Sequence, residues 1–124
     1  MTNLPAENEF LGIVGPCSAG KSTLISKLQN LGYLCRHIAQ EHSYVPDMWR
    51  RLVNPRVLIY LDVTYENSMQ RRHLNLTYQE FDEQVKRLSN ARQNAHVYVD
   101  TNPLSPGEVY RAVMGSLADL SVDP

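Results

Sequence analysis

The stretch Gly15-Pro16-Cys17-Ser18-Ala19-Gly20-Lys21-Ser22 constrains this chain more than any other. It fits G-x-x-x-x-G-K-[ST], a pattern whose backbone N–H groups cradle phosphates. Its flanks supply the context the pattern requires. Phe10-Leu11-Gly12-Ile13-Val14 reads as a short buried strand. Ser22 to Leu31 reads as a helix, with Leu24, Ile25, Leu28 and Leu31 at helical spacing. Gly15 and Gly20 permit positive φ and let the main chain approach an anion without a Cβ in the way. Gly15, Pro16, Cys17, Ser18, Ala19, Gly20, Lys21, Ser22 and Thr23 are therefore the expected nucleotide-binding residues. Their N–H groups form an anion nest at the positive end of the following helix. Lys21 is expected to reach the β- and γ-phosphates, and the Ser22 hydroxyl to help hold Mg²⁺.

Composition narrows the class. A chain of 124 residues is long enough for one domain, spanning 1–124, with its own core. Twelve basic residues against thirteen acidic ones give a net charge of −1, which speaks against nucleic acid or an anionic membrane as partner. No apolar run is long enough to span a bilayer, and Met1 to Glu9 lacks a signal-peptide pattern. Cys17 and Cys35 form no C-x-x-C pair, so reduced thiols and a cytoplasmic location are expected. Cys17, inside the loop, is also open to redox control. His37, His42, His73 and His96 show no metal-ligand spacing, so no metal is expected beyond the Mg²⁺ that accompanies a nucleotide.

Along the chain, Gly32 is positioned to end the first helix. Tyr33 to Ala39 reads as a second strand, polar enough for a sheet edge, and Gln40 to Val45 as a loop. Pro46 opens a short helix to Leu52 as its first residue. Val57 to Val63 is apolar on both parities, the pattern of a central parallel strand. Thr64 caps a helix reaching to about His73, and Leu74-Asn75-Leu76 interrupts. Thr77-Tyr78-Gln79-Glu80 is a capping box for a helix with Phe81, Val85, Leu88 and Ala91 on its apolar face. His96 to Asp100 is a fourth strand. Ser105-Pro106-Gly107-Glu108 is a second capping box, opening a helix with Val109, Val113, Leu117 and Leu120 on one face before Ser121 to Pro124 fray. Alternating strands and helices predict an α/β fold: a reduced parallel sheet of about four strands in the order 2-1-3-4, helices on both faces, and a ligand at the carboxyl ends of the strands.

These segments resemble the small P-loop kinases: nucleoside and nucleotide kinases, shikimate kinase and dephospho-coenzyme A kinase. Three segments carry the likeness: Phe10 to Leu31; Val57 to Val63 followed by Arg71-Arg72; and Val97-Tyr98-Val99-Asp100-Thr101 with Asn102-Pro103. Arg87 to Arg92 is similar to the helix returning from that family's lid. The resemblance implies a P-loop NTPase-like three-layer sandwich, ATP with Mg²⁺ as cofactors, and phosphate-clamping arginines at Arg71 and Arg72. It places Thr101, Asn102 and Pro103 near the base. Gln40 to Arg56 is shorter than the family's acceptor-building segment, so the acceptor site is truncated. His37 to Trp49 is similar to a stretch of uncharacterised bacterial P-loop proteins.

Phosphoryl transfer needs charge neutralisation, in-line positioning and a carboxylate to orient the acceptor. Glu41, following the second strand, is the candidate base. Asp62, ending an apolar strand, is the candidate Mg²⁺ ligand beside Ser22. Consecutive Arg71 and Arg72 should diverge on a helix, leaving at least one for phosphates. Trp49 and Tyr44 either stack on a ligand or close a small core. The expected function is an ATP-dependent phosphotransferase with a small-molecule acceptor that the sequence does not identify. The alternative is a nucleotide-binding sensor or assembly module without turnover. The exposed edges of a minimal sheet would suit a partner or a homodimer.

Overall fold

Four short strands, β1 (Leu11–Val14), β2 (Cys35–His37), β3 (Val57–Asp62) and β4 (Val97–Asp100), pair side by side in the order β2-β1-β3-β4. All three pairings are parallel, with Ile13 opposite both His37 and Ile59, and Asp62 opposite Asp100. The computed structural model describes residues 9–72 and 75–124. The expectations for Met1 to Asn8, for a helix end at His73 and for Leu74 lie outside the described residues.

Among the described residues five helices connect the strands, α1 (Lys21–Asn30), α2 (Met48–Leu52), α3 (Tyr65–Arg72), α4 (Tyr78–Arg87) and α5 (Ser89–Asn94), and a sixth, α6 (Pro106–Asp119), follows β4. A 3₁₀ turn, Gln40–His42, follows β2. The fold is a mixed α/β one with a four-stranded all-parallel sheet. Strand alternation assigns the two faces. Leu11, Ile13, Ile59, Leu61, Val97 and Val99 pack with Leu24 and Leu28 of α1 and with Val109, Val113 and Leu117 of α6. Val14, Leu58 and Tyr60 pack on the opposite face with Ile38, Trp49 of α2, Leu88, and Ala91 of α5. Apolar burial of this kind contributes about 1.5 to 3 kcal/mol per large side chain. β1 and β3 are therefore apolar on both parities, whereas β4 leaves Tyr98 and Asp100 exposed.

Both capping boxes form: Thr77 and Ser105 each accept from the N–H three residues on, and Glu80 and Glu108 return the bond to the cap N–H. Those backbone bonds hold both glutamates below the usual carboxylate range. Three details depart from expectation. Pro46 precedes α2 instead of opening it, because Asp47 is the N-cap and binds Arg51 one turn on at 2.8 Å. The helix from Tyr78 is broken at Leu88 into α4 and α5. The chain beyond α6 does not fray. Ser121 takes φ +58, Val122 N–H bonds Leu117 O at 2.9 Å, and Val122 is buried while Leu120 is 46% exposed. This is the Schellman reversal of a helix C-terminus, and Tyr33 Oη fixes it by donating to Val122 O.

Candidate functional site

The carboxyl ends of β1 and β2 open onto a cleft of about 790 Å³ beside the loop Gly15–Gly20 and the first turn of α1. The backbone explains why this loop has its glycines. Gly15 has φ +154, and a Cβ there would stand 2.2 Å from Leu61 O, so the loop presses against β3. Gly20 has φ +96 at the N-cap of α1, and a Cβ there would meet nothing within 4 Å. Ser18 also takes positive φ, +67, which the sequence pattern did not foretell. No side chain caps α1. The first N–H groups of a helix have no intrahelical partner, so those of Lys21, Ser22 and Thr23 face outward at the positive end of the helix dipole.

Lys21 does not extend into the cleft. Its ammonium donates to Gly15 O, to Pro16 O at 3.2 Å and to Glu41 Oε2 at 2.9 Å. Both partners of this ion pair are buried, Lys21 at 7% and Glu41 at 3% exposure. Glu41 Oε1 and Ser18 Oγ are buried without any hydrogen-bond partner. Such orphaned polar atoms are costly and mark where a ligand's donors or charges would be welcome. His37, which also lines the cleft, is held below the usual imidazole range by desolvation and then by the Lys21 charge.

Three polar side chains that sequence reasoning missed support the site, two of them by bonding to the loop itself. Gln84 of α4, 4% exposed, accepts from Cys17 N–H at 3.1 Å and donates to Cys17 Sγ at 3.2 Å. Ser68 of α3 donates to Cys17 O at 2.9 Å. Gln40, fully buried, accepts from Trp49 N–H and donates to Val45 O, both at 2.8 Å, which anchors the turn carrying Glu41. Gln84 had a visible signal, since it falls on the same helical face as Phe81 and Leu88, where an apolar residue is expected.

The remaining candidates divide. Arg71 and Arg72 both border the cleft, against the expectation that consecutive residues diverge. Arg71 is already committed, donating to Ser18 O at 3.0 Å, to Thr101 Oγ1 at 3.0 Å and to Thr101 O at 2.7 Å. It bridges the two sides of the cleft. Thr101 lines it, next to the apolar wall of Leu104, Pro106 and Val109. Asn102 and Pro103 are not among the lining residues. The Asn102 side chain is spent on Thr64 N–H, Asn67 and Asp100.

Asp62 is likewise outside the cleft, so the geometry does not join it to Ser22. It shares the parity of Leu58 and Tyr60 and turns to the other face of the sheet. There it accepts from Tyr98 Oη at 2.5 Å and Val63 N–H at 2.9 Å, with Arg92 at 3.8 Å. Burial, followed by the bond to Asp62, raises the Tyr98 phenol above its ordinary range. Trp49 is a core residue bonded to Asn90 at 2.9 Å, whereas Tyr44 is exposed under the Arg87 guanidinium, 4.6 Å from its ring centre. Among the described residues, no helix is long and apolar enough to cross a membrane. No protein-family model matches the chain, and no curated protein matches it.

Proposed function

We propose that this chain is a P-loop NTPase-like domain spanning 1–124 and acts as a small ATP-dependent phosphotransferase of the nucleoside- or nucleotide-kinase-like class. The observation that carries this reading is the conjunction at the 15–22 loop. An uncapped helix N-terminus, an orphaned buried Ser18 hydroxyl and a retracted lysine face one cleft. These residues fit a triphosphate with its Mg²⁺. The N–H groups of Gly20 to Thr23 would bind phosphate oxygens, the Ser22 hydroxyl would hold the metal, and Thr101 with Leu104, Pro106 and Val109 would flank the base.

When bound, MgATP supplies the phosphoryl group and part of its charge neutralisation. Lys21 would exchange its carbonyl and Glu41 contacts for phosphate oxygens. Glu41, released from that ion pair, is the carboxylate able to orient an acceptor hydroxyl and take its proton. Arg72, exposed at the cleft edge, adds positive charge, while Arg71 fixes the distance between the two lips. Asp62, Asn102 and Pro103 have no part in this scheme, their polar groups being engaged elsewhere or outside the cleft. The setting suits a cytoplasmic enzyme.

Calorimetric titration with MgATP and MgGTP tests the reading. Micromolar ATP binding that is lost in Lys21→Ala, with the far-UV spectrum retained, is the expected result. Absence of binding to the folded wild-type chain would sink it. A second reading is favoured by one observation: only a 3₁₀ turn and the five-residue α2 lie between β2 and β3. That leaves little material for an acceptor pocket and suits a nucleotide sensor or assembly module, completed by a partner or a second copy. Acceptor-dependent ADP release from the isolated monomer would exclude it.

A further inference from the structure

Beside the loop, a thiol, a carboxylate and an imidazole converge. One ligand atom from each of Cys17, Glu41 and His42 lies within 4.8 Å of the others. We propose that these three residues form a binding site for a zinc-class divalent cation, independent of any nucleotide.

The site is held by the fold rather than assembled by chance on a surface. Cys17 is pinned by Gln84 and Ser68, and Glu41 and His42 share the turn that Gln40 anchors. Glu41 supplies the second, separate indication. Its carboxylate is 3% exposed, Lys21 takes only Oε2, and Oε1 has no partner. A cation bound through Oε1 would satisfy that atom without displacing Lys21 from Oε2. His42 Nε2 is 3.9 Å from Oε2, and its side chain is 61% exposed, so it can turn without disturbing the core.

The donor set selects the ion. Thiolate with imidazole and one carboxylate suits zinc and its relatives, not Mg²⁺ or Ca²⁺, which take oxygen ligands. Bonds of about 2.0 to 2.3 Å around a tetrahedral ion set ligand atoms about 3 to 4 Å apart. From separations of up to 4.8 Å, a closure of about 1 to 2 Å meets that requirement, with the exposed His42 side chain free to supply part of it. Three protein ligands leave a fourth position for water. The Gln84 amide, donating to Cys17 Sγ at 3.2 Å, is the kind of outer partner that steadies a metal-bound thiolate.

Co²⁺ titration of the full chain under reducing conditions, without nucleotide, tests the site. The expected result is a thiolate-to-cobalt charge-transfer band with tetrahedral d–d intensity that saturates at one equivalent and is bleached by Zn²⁺. Cys17→Ser should remove the charge-transfer band, and His42→Ala should weaken Co²⁺ binding by about tenfold or more. Cys35→Ser should leave both unchanged, because Cys35 is buried in the core and its thiol is pushed up to about 11 by desolvation. Absence of the band in wild type overturns the proposal. So does a band that survives Cys17→Ser in a variant with the wild-type far-UV spectrum, or one that disappears in Cys35→Ser.

Discussion

Glu41 and Asp62 occupy comparable places, each at or just past the carboxyl end of a parallel strand, and the fold uses them in opposite ways. Glu41 is buried against Lys21 with one oxygen unsatisfied, at the mouth of the cleft. Asp62 has both oxygens bonded, to Val63 N–H and Tyr98, on the far face of the sheet. A buried carboxylate with an orphaned oxygen has room for one more donor or a cation. One with both oxygens already bonded serves as a structural strut. The end of a strand is therefore not enough to mark a functional acid; which face its parity selects decides the matter.

The largest test of this contrast is the ion pair. Lys21→Met strands a buried charge on Glu41 and should cost about 3 to 5 kcal/mol of stability. Adding Glu41→Gln should recover most of that loss, and urea denaturation of the two variants measures the difference. Next comes turnover, once an acceptor is found. Glu41→Gln should lower kcat by about a hundredfold or more, as loss of a general base does. Asp62→Asn should leave kcat essentially unchanged, and an equal loss in both variants would erase the distinction drawn between them. Gln84→Ala should destabilise by about 1 to 2 kcal/mol, because it leaves Cys17 N–H without its acceptor. Its thermal midpoint gives the check.

The smallest effect is on acid stability. Glu80 and Glu108 have folded pKa values lowered from 4.5 by their capping bonds. The contribution of each is thus full above the unfolded value and is lost as pH falls through the lower folded one. Glu80→Gln and Glu108→Gln, which remove the titrating groups, should flatten stability against pH below about 4.5 and leave the Lys21–Glu41 region unaffected.

Much of this architecture could be read before any coordinates. The strand order follows from four apolar runs with helical crossovers of one hand, and the loop from two glycines between a strand and a helix. Lys21 and Glu41 both stand out in the sequence and both line the cleft, whereas their pairing with each other is not legible there. Asp62 was misassigned for a physical reason. A strand buried on both faces, as β3 is, carries no alternation in its sequence, so nothing in Val57 to Asp62 tells which way the aspartate points. Gln84, Ser68 and Gln40 were missed because a polar residue facing inward looks like surface until its distant partner is known. The reversal at Ser121 was hidden because a positive φ is expected of glycine, not serine.

The contacts that shape the 15–22 loop have a consequence for what a shorter piece of the chain could retain. Cys17 is held by residues 51 and 67 positions away, and Ser18 by one 53 positions away. β1 and α1 can form from local sequence, but beyond the local bonds from Ala19 and Lys21 to Gly15 and Pro16, the loop between them is held by helices distant in sequence. Closing such loops costs entropy that local contacts do not return. The turn between β1 and α1 therefore depends on partners far along the chain, and a fragment ending after α1 would carry the sequence pattern without the residues that hold its geometry.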